Sequence, residues 1–426
     1  MILASRNGRL DTLTVRARVV DPTEGLDTPA SVTVEDGIVT AIEPVASAPA
    51  GLVLAPAFVD PHVHLRTPGR EDEETIVSGT EAAAAGGYCA IVAMPNTDPV
   101  VDTASVLRAL VEQALEEAVV PTGFTAAISK GQRGEELTEM GELAAAGAVA
   151  FTDDGRPVAS AGLMRRALAY SAVADRPLAL HCEEPTLSRD GQMHEGAVSA
   201  ELGLAGWPSV AESLMVERDL ALAAYEQRPI HLQHLSARAS VDAVRRARAA
   251  GVRASAEATP HHLCATDELV RTLDANAKMN PPLGAEDDRR ALVEGILDGT
   301  IDCIATDHAP HARHEKDVPF EQAPFGVTGL ETAFGALHTF LVREGQVPLA
   351  TMLERLSAGP ARALGLPVPR IAVGEPANLV LLDLEAEWTV REEAFRSRSA
   401  NSWLLGQTLV GAVVRTVAAG KVVFST

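Results

Sequence analysis

The sequence predicts an α/β protein: a (β/α)8 barrel of the TIM type, with a small β-sandwich domain built from both chain termini. Three observations carry that prediction. The middle of the chain alternates apolar runs with Ala/Leu/Glu/Arg-rich stretches, the rhythm of βα units and a parallel sheet. Eight such apolar runs occur, the number a closed barrel of this kind needs. The two ends read differently, as short strands separated by turns.

Residues 1–55 contain LTVRARVVDP and ASVTVEDGIVTAIEP, with Asp36-Gly37 suited to a two-residue hairpin turn. Residues 366–426 contain NLVLLDLEAEWTV and VRTVAAGKVVFST, so the two ends are expected to form one composite domain around a barrel at 56–365. The predicted barrel strands are, in order, LAPAFVDPHVH, YCAIVAMPN, GFTAAISK, AVAFTDD, PLALHCE, PIHLQHLS, VRASAEATPHH and IDCIATDHAPH. EAAAAGG, between the first two, is a helix closed by glycine, and comparable helices fill most other gaps.

Composition narrows the function classes. At 426 residues, 46% hydrophobic and only 22% charged, the chain is a well-buried globular protein with a large core. A net charge of −22 leaves no basic surplus for nucleic acid or an anionic membrane, and an anionic substrate needs a locally placed arginine. No apolar stretch approaches the roughly 18 residues of a membrane span, and MILASRNGRL lacks a signal-peptide core, so a cytoplasmic protein is expected. Cys89, Cys182, Cys264 and Cys303 are scattered among apolar segments and read as buried free thiols.

The active face of such a barrel is the C-terminal edge of its strands. Polar or titratable residues stand at the end of every predicted strand: His62 and His64, Asn96, Lys130, Asp153 and Asp154, His181, His234, His261 and His262, and Asp307. Side chains at i and i+2 of a strand share a face, so His62 and His64 can aim both imidazoles at one point. His231 and His234, three apart, face opposite sides of a regular strand. His234, nearer the strand end, is therefore the ligand candidate, and His231 reads as a packed or helix-facing residue. His181 ends LALH as a further ligand candidate. His261 and His262 follow Pro260 in a turn and read as loop groups near the site, while His194, His314 and His338 carry no assigned role. Neutral imidazole and carboxylate, with no thiolate among them, suit zinc and similar divalent ions. Arg66, just past the H-x-H, can offer a carboxylate a planar two-point contact.

DPHVHLRTPGREDEETIVSGTEAAAAGG, MPNTDP, FTDDG, HCEE, HLQHLSA, TPHHL, KMNPPL, IATDHAPH and APFGVTGLETA together resemble the motif series of class I bacterial dihydroorotases, in the amidohydrolase superfamily, from about residue 50 to about residue 365. The resemblance implies reversible, metal-dependent cyclisation of N-carbamoyl-L-aspartate to (S)-dihydroorotate plus water, in pyrimidine biosynthesis. It implies one or two zinc ions, and the expected arrangement has His62, His64 and Asp307 holding one, His181 and His234 the second, and Asp154 bridging them or replacing part of that arrangement. Many relatives place a carboxylated lysine at the end of the fourth strand. Here that strand ends in FTDDG and none of the four lysines lies on it, so an aspartate takes the place. Asp153 and Asp154 face opposite sides of a regular strand, and the family motif favours Asp154 over both Asp153 and the rival Lys130. By the same resemblance Asp307 shuttles the proton. His64, Arg66, Asn96, Asn280, His311, Phe325 and Gly326 bind substrate, and the polar loop from His311 to Gly326 is a candidate cover for the site. One departure stands out: Gly284 follows NPPL where many relatives have arginine. A homodimer and an association with aspartate transcarbamoylase are the partner expectations. The competing readings are a hydantoinase or allantoinase, and a scaffold that has lost activity.

Overall fold

The computed structural model describes residues 1–426. Strands β1 (Leu13–Asp21), β2 (Leu26–Glu35), β3 (Ile38–Pro44) and β4 (Leu52–Pro56) come first, then β5 (Phe58–Val63), β6 (Tyr88–Ala93), β7 (Thr122–Phe124) and β8 (Leu178–Leu180). A two-residue parallel ladder, β9 (Met193–His194) with β10 (Gly206–Trp207), precedes β11 (Ile230–Leu232), β12 (Ala254–Ala258) and β13 (Cys303–Ile304). The chain closes with β14 (Leu379–Thr389), β15 (Thr408–Ala418) and β16 (Lys421–Ser425).

Both termini build one seven-stranded sheet, in the order β16-β15-β14-β4-β1-β2-β3. Its inner face has the alternation a half-buried sheet requires: Val15, Ala17 and Val19 of β1 meet Ala30, Val32 and Val34 of β2 in a core separate from that of the barrel. Asp36 and Gly37 take φ of +48° and +76°, the left-handed pair of a two-residue hairpin turn. The predicted run LAPAFVDPHVH divides between the two sheets. β4 pairs with β14, and two residues later β5 pairs with β6 in the barrel.

The barrel consists of two arcs, β5-β6-β7 and β8-β11-β12-β13. Single parallel bridges close it: Phe151 links Ala126 to Leu178 on one side, and Val63 meets His308 on the other. AVAFTDD, predicted as a full strand, forms β-bridges only at Phe151, with further backbone hydrogen bonds from Val149 to Phe124 and from Thr152 to Ala126. The helix Ile76–Ala85 begins at Thr75 in a reciprocal cap with Ser78 and packs Ile76, Ala82, Ala83 and Ala84 inward. Gly86 and Gly87 end it as expected. A Cβ on Gly86 would lie 2.1 Å from the Leu330 carbonyl oxygen, and Gly87 takes φ +93°. The connection between β14 and β15 leaves the sheet and lies against the barrel mouth, where Asn401 accepts the His311 amide and donates to the carbonyls of Ala309 and Gly326. The four cysteines are free thiols, three of them buried.

Candidate metal centre and substrate cavity

Sequence-distant strand ends bring four histidines and two aspartates into one buried cluster. His62 Nδ1 donates to Glu257 Oε1 at 2.7 Å, which turns Nε2 inward, 3.4 Å from Asp307 Oδ1 and 3.5 Å from Asp154 Oδ1. His64 Nδ1 donates to Asn96 Oδ1 (2.9 Å), and its Nε2 lies 3.1 Å from Asp307 Oδ1 and 3.4 Å from Asp154 Oδ2. Asp154 Oδ1 also stands 3.6 Å from His181 Nδ1 and 3.5 Å from His234 Nε2, and those two rings approach to 2.8 Å. Asp154 therefore faces all four imidazoles. Its neighbour Asp153 points into the wall, where it accepts the amides of Ile128 and Ser129 and the Ser129 hydroxyl.

The electrostatics follow from burial against mutual attraction. Burial opposes the charged form of His62, but Asp154, Asp307 and Glu257 outweigh it and hold its pKa well above the usual value. Burial likewise opposes the ionised aspartates, and the surrounding histidines overcome it, so Asp154 and Asp307 both lie below the normal carboxylate range. Burial pushes Asp153 up to about 6 and His262 down to about 4. The donor set fits a divalent cation. His62 Nε2 is buried with no hydrogen-bond partner, and the ligand atoms of His62, His64 and Asp307, and of His62, Asp154 and His234, lie within 4.8 Å of one another.

A cavity of about 160 Å³ opens beside this cluster, and all seven residues expected to bind substrate line it: His64, Arg66, Asn96, Asn280, His311, Phe325 and Gly326. Arg66 takes φ +57° and anchors its Nε on the Pro310 carbonyl (3.1 Å) and on the buried Glu73 (3.0 Å). Asn280 presents a buried Oδ1 without a partner. His311 donates from Nε2 to the Phe325 carbonyl (2.8 Å), and its Nδ1 faces Glu73 and Glu315 at 3.3 and 3.5 Å. Burial and the nearby Arg66 and Lys316 charges lower its pKa to about 3. Two of the four lysines pin the loop that carries Phe325: Lys316 donates to the Ala275 and Pro324 carbonyls, and Lys278 to those of Phe320 and Glu321. Arg70 contacts both Glu73 and Glu315, tying the same loop to the segment after β5.

Several sequence expectations need revision. A three-residue spacing puts His231 and His234 on opposite faces only if the strand stays regular. β11 ends at Leu232, and His234 takes φ +30°, so both residues converge on Glu257: His231 through Nε2 (2.8 Å) and His234 through its backbone amide (3.1 Å). His261 and His262 are buried in the short helix Pro260–Cys264, not in an open turn, with His262 Nε2 donating to the Pro281 carbonyl. Lys130 is exposed and pairs with Glu136, away from the cluster. At Gly284 a Cβ would come within 2.8 Å of the Asp288 Cβ, so a larger residue cannot enter without moving Asp288. Glu257, Glu73 and Asn401 were missed. Glu257 had a signal, as the lone carboxylate in the small-residue strand RASAEA, whereas Asn401 reaches the site over some ninety residues of chain with no local pattern to announce it.

Histidines and aspartates converging at the C-terminal mouth of a (β/α)8 barrel define the class: a metal-dependent amidohydrolase. The dihydro-orotase-like family model matches residues 51–240. The dihydroorotase of Caldanaerobacter subterraneus is 44% identical over 372 residues, covering 87% of this chain and 86% of its own. That of Trichlorobacter lovleyi is 43% identical over 416 residues, covering 96% and 98%. The chain belongs to the dihydroorotase family. Among solved structures, the L-hydantoinase of Arthrobacter aurescens superposes with a TM-score of 0.86 at 25% identity, over 100% of this chain and 96% of its own. The dihydropyrimidinase of Brevibacillus agri gives 0.83 at 22% identity, over 97% and 95%, a likeness of fold.

Proposed function

We propose that this chain is a dihydroorotase that interconverts N-carbamoyl-L-aspartate and (S)-dihydroorotate plus water, using one or two zinc ions held by His62, His64, Asp154, His181, His234 and Asp307. The observation that carries this reading is the adjacency of two chemistries: the ligand cluster forms one wall of the same 160 Å³ cavity that Arg66, Asn96 and Asn280 line. A divalent ion bound there supplies Lewis acidity, polarising the amide carbonyl and acidifying water. The protein's own groups do the rest. Arg66 receives the carboxylate present in both substrates, with Asn96, Asn280 and the backbone at Phe325 and Gly326 orienting the ring. Asp307, 3.1 Å from His64 Nε2, is ionised and in place to accept a proton. In hydrolysis it takes the proton of the attacking water and passes it to the ring nitrogen as the C–N bond breaks, and cyclisation reverses these steps.

The test is dihydroorotate hydrolysis by the purified protein at alkaline pH, before chelation, after chelation and with zinc restored. Activity that chelation removes and zinc returns supports the reading. A folded, zinc-loaded protein that leaves dihydroorotate intact but opens hydantoin or allantoin overturns it in favour of another cyclic amide. A homodimer, an association with aspartate transcarbamoylase and a cytoplasmic location belong to the same proposal, on the strength of the family. No helix is long and apolar enough to cross a membrane.

A further inference from the structure

Beneath the ligand cluster, inside the barrel, lies a second pair of buried titratable groups that the reaction does not use, Glu257 and His231, with the half-buried Ser255 hydroxyl beside them. We propose that Glu257, clamped by His231, is a positioning residue for the metal centre, holding His62 with its proton on Nδ1 and pinning the turn that presents His234. This inference rests on the reading of His62 and His234 as ligands.

The hydrogen bonds leave little freedom. Glu257 is fully buried on β12, the seventh barrel strand, and reaches the first and sixth strands with one carboxylate. Oε1 accepts His62 Nδ1 at 2.7 Å and the His234 amide at 3.1 Å, and Oε2 accepts His231 Nε2 at 2.8 Å. His231 Nδ1 then faces the Ser255 hydroxyl at 2.8 Å, and that hydroxyl donates to it. A carboxylate only accepts, so both rings carry their protons on the nitrogens that face Glu257. For His62 the consequence is direct: Nε2 is the nitrogen turned to the cluster, where it is buried and unpartnered. For His234 the amide bond offsets part of the strain of a non-glycine residue at φ +30°. One side chain thereby sets the tautomer of one ligand and the backbone of another, which also explains why a second histidine stands three residues before His234. A carboxylate behind a metal-binding imidazole fixes its orientation and raises its basicity, and removing such a partner typically weakens metal binding about 10–100-fold.

The alternative is a buried polar cluster that serves stability alone, and zinc affinity separates the two. Glu257→Gln retains the size of the side chain but loses its charge and one of its acceptors. His231→Gln removes the clamp while leaving Glu257 in place, and serves as the second variant should the first not fold. Asp21→Asn is the control, since Asp21 is a fully buried carboxylate in the seven-stranded sheet built from the two termini, where it accepts the Thr23 and Ile371 amides far from the site. Each protein is stripped of metal, checked by circular dichroism and thermal unfolding, and titrated with zinc against a chromophoric chelator. The expected result is zinc binding about 10–100-fold weaker in Glu257→Gln, and weaker by a smaller factor in His231→Gln. Asp21→Asn should lower the unfolding temperature with zinc affinity unchanged. Folded Glu257 and His231 variants that bind zinc within twofold of the wild type overturn the role of Glu257 and leave the ligand assignment standing. A wild-type protein that takes up no zinc overturns the ligand assignment, and this inference with it.

Discussion

Arg66→Lys is the substitution whose consequence the geometry specifies most fully. The Arg66 side chain is about one-eighth exposed, and its Nε is committed to Pro310 O at 3.1 Å and Glu73 Oε2 at 3.0 Å, which orients the planar guanidinium at the cavity wall. Lysine has one point of charge at the end of a flexible stem and cannot serve Glu73 and a substrate carboxylate with the same fixed fork. The loss is at least one charge-assisted hydrogen bond, about 1.5–3 kcal/mol, which corresponds to roughly a 10- to 150-fold rise in the Michaelis constant. Because the carboxylate is present in both dihydroorotate and N-carbamoyl-L-aspartate, the rise should appear in both directions. The turnover number should change much less, since the carboxylate assigned to Arg66 is carried unchanged through the reaction. Steady-state kinetics in each direction, with thermal unfolding to measure the cost of leaving Glu73 short of a partner, tests this. Michaelis constants within twofold of the wild type in both directions refute the reasoning.

Asp307→Asn should reduce turnover by about 10²–10⁴-fold or more through loss of proton transfer, with the circular dichroism spectrum retained. Substantial residual turnover in that variant rules out the assignment. Asp153→Asn and Asp154→Asn, side by side in sequence, should separate cleanly: the first lowers thermal stability and leaves zinc uptake intact, the second loses zinc, and equal zinc affinities would contradict the placement of Asp154. Glu331 has its pKa raised to about 7 by burial, against 4.5 when unfolded, so the folded state binds the extra proton between those values. The Glu331 contribution to stability should therefore be lost progressively as pH rises from about 4.5 to 7, and Glu331→Gln should show a smaller fall, or a larger rise, in unfolding temperature than the wild type across that range. Gly284→Arg should destabilise the protein by about 1–3 kcal/mol through its clash with Asp288, with no gain in substrate affinity. An improved Michaelis constant would show that the loop has room for the missing arginine.

The sequence by itself determined the barrel, the composite sheet and most of the cluster, because each rests on a local pattern. Apolar runs in βα rhythm name the strands, and an i, i+2 pair or a strand-end position names His62, His64, His181 and Asp307. Where local pattern assumed a regular strand, only the tertiary structure could decide. Asp154 and not Asp153 enters the cluster because Asp153 is claimed by the amides of Ile128 and Ser129 on the neighbouring chain segment. His231 and His234 meet at one carboxylate because β11 ends early and the backbone turns left-handed at His234. Glu257 beneath His62 and Asn401 behind His311 depend on hydrogen bonds whose partners are far apart in the chain, and Glu73 behind Arg66 is an ion pair that the fold of the loop after β5 creates. The physical reason is one of range. Hydrophobic periodicity is written within a few residues, whereas the direction of a buried polar side chain is set by whichever distant donor or acceptor the closed barrel brings within about 3 Å.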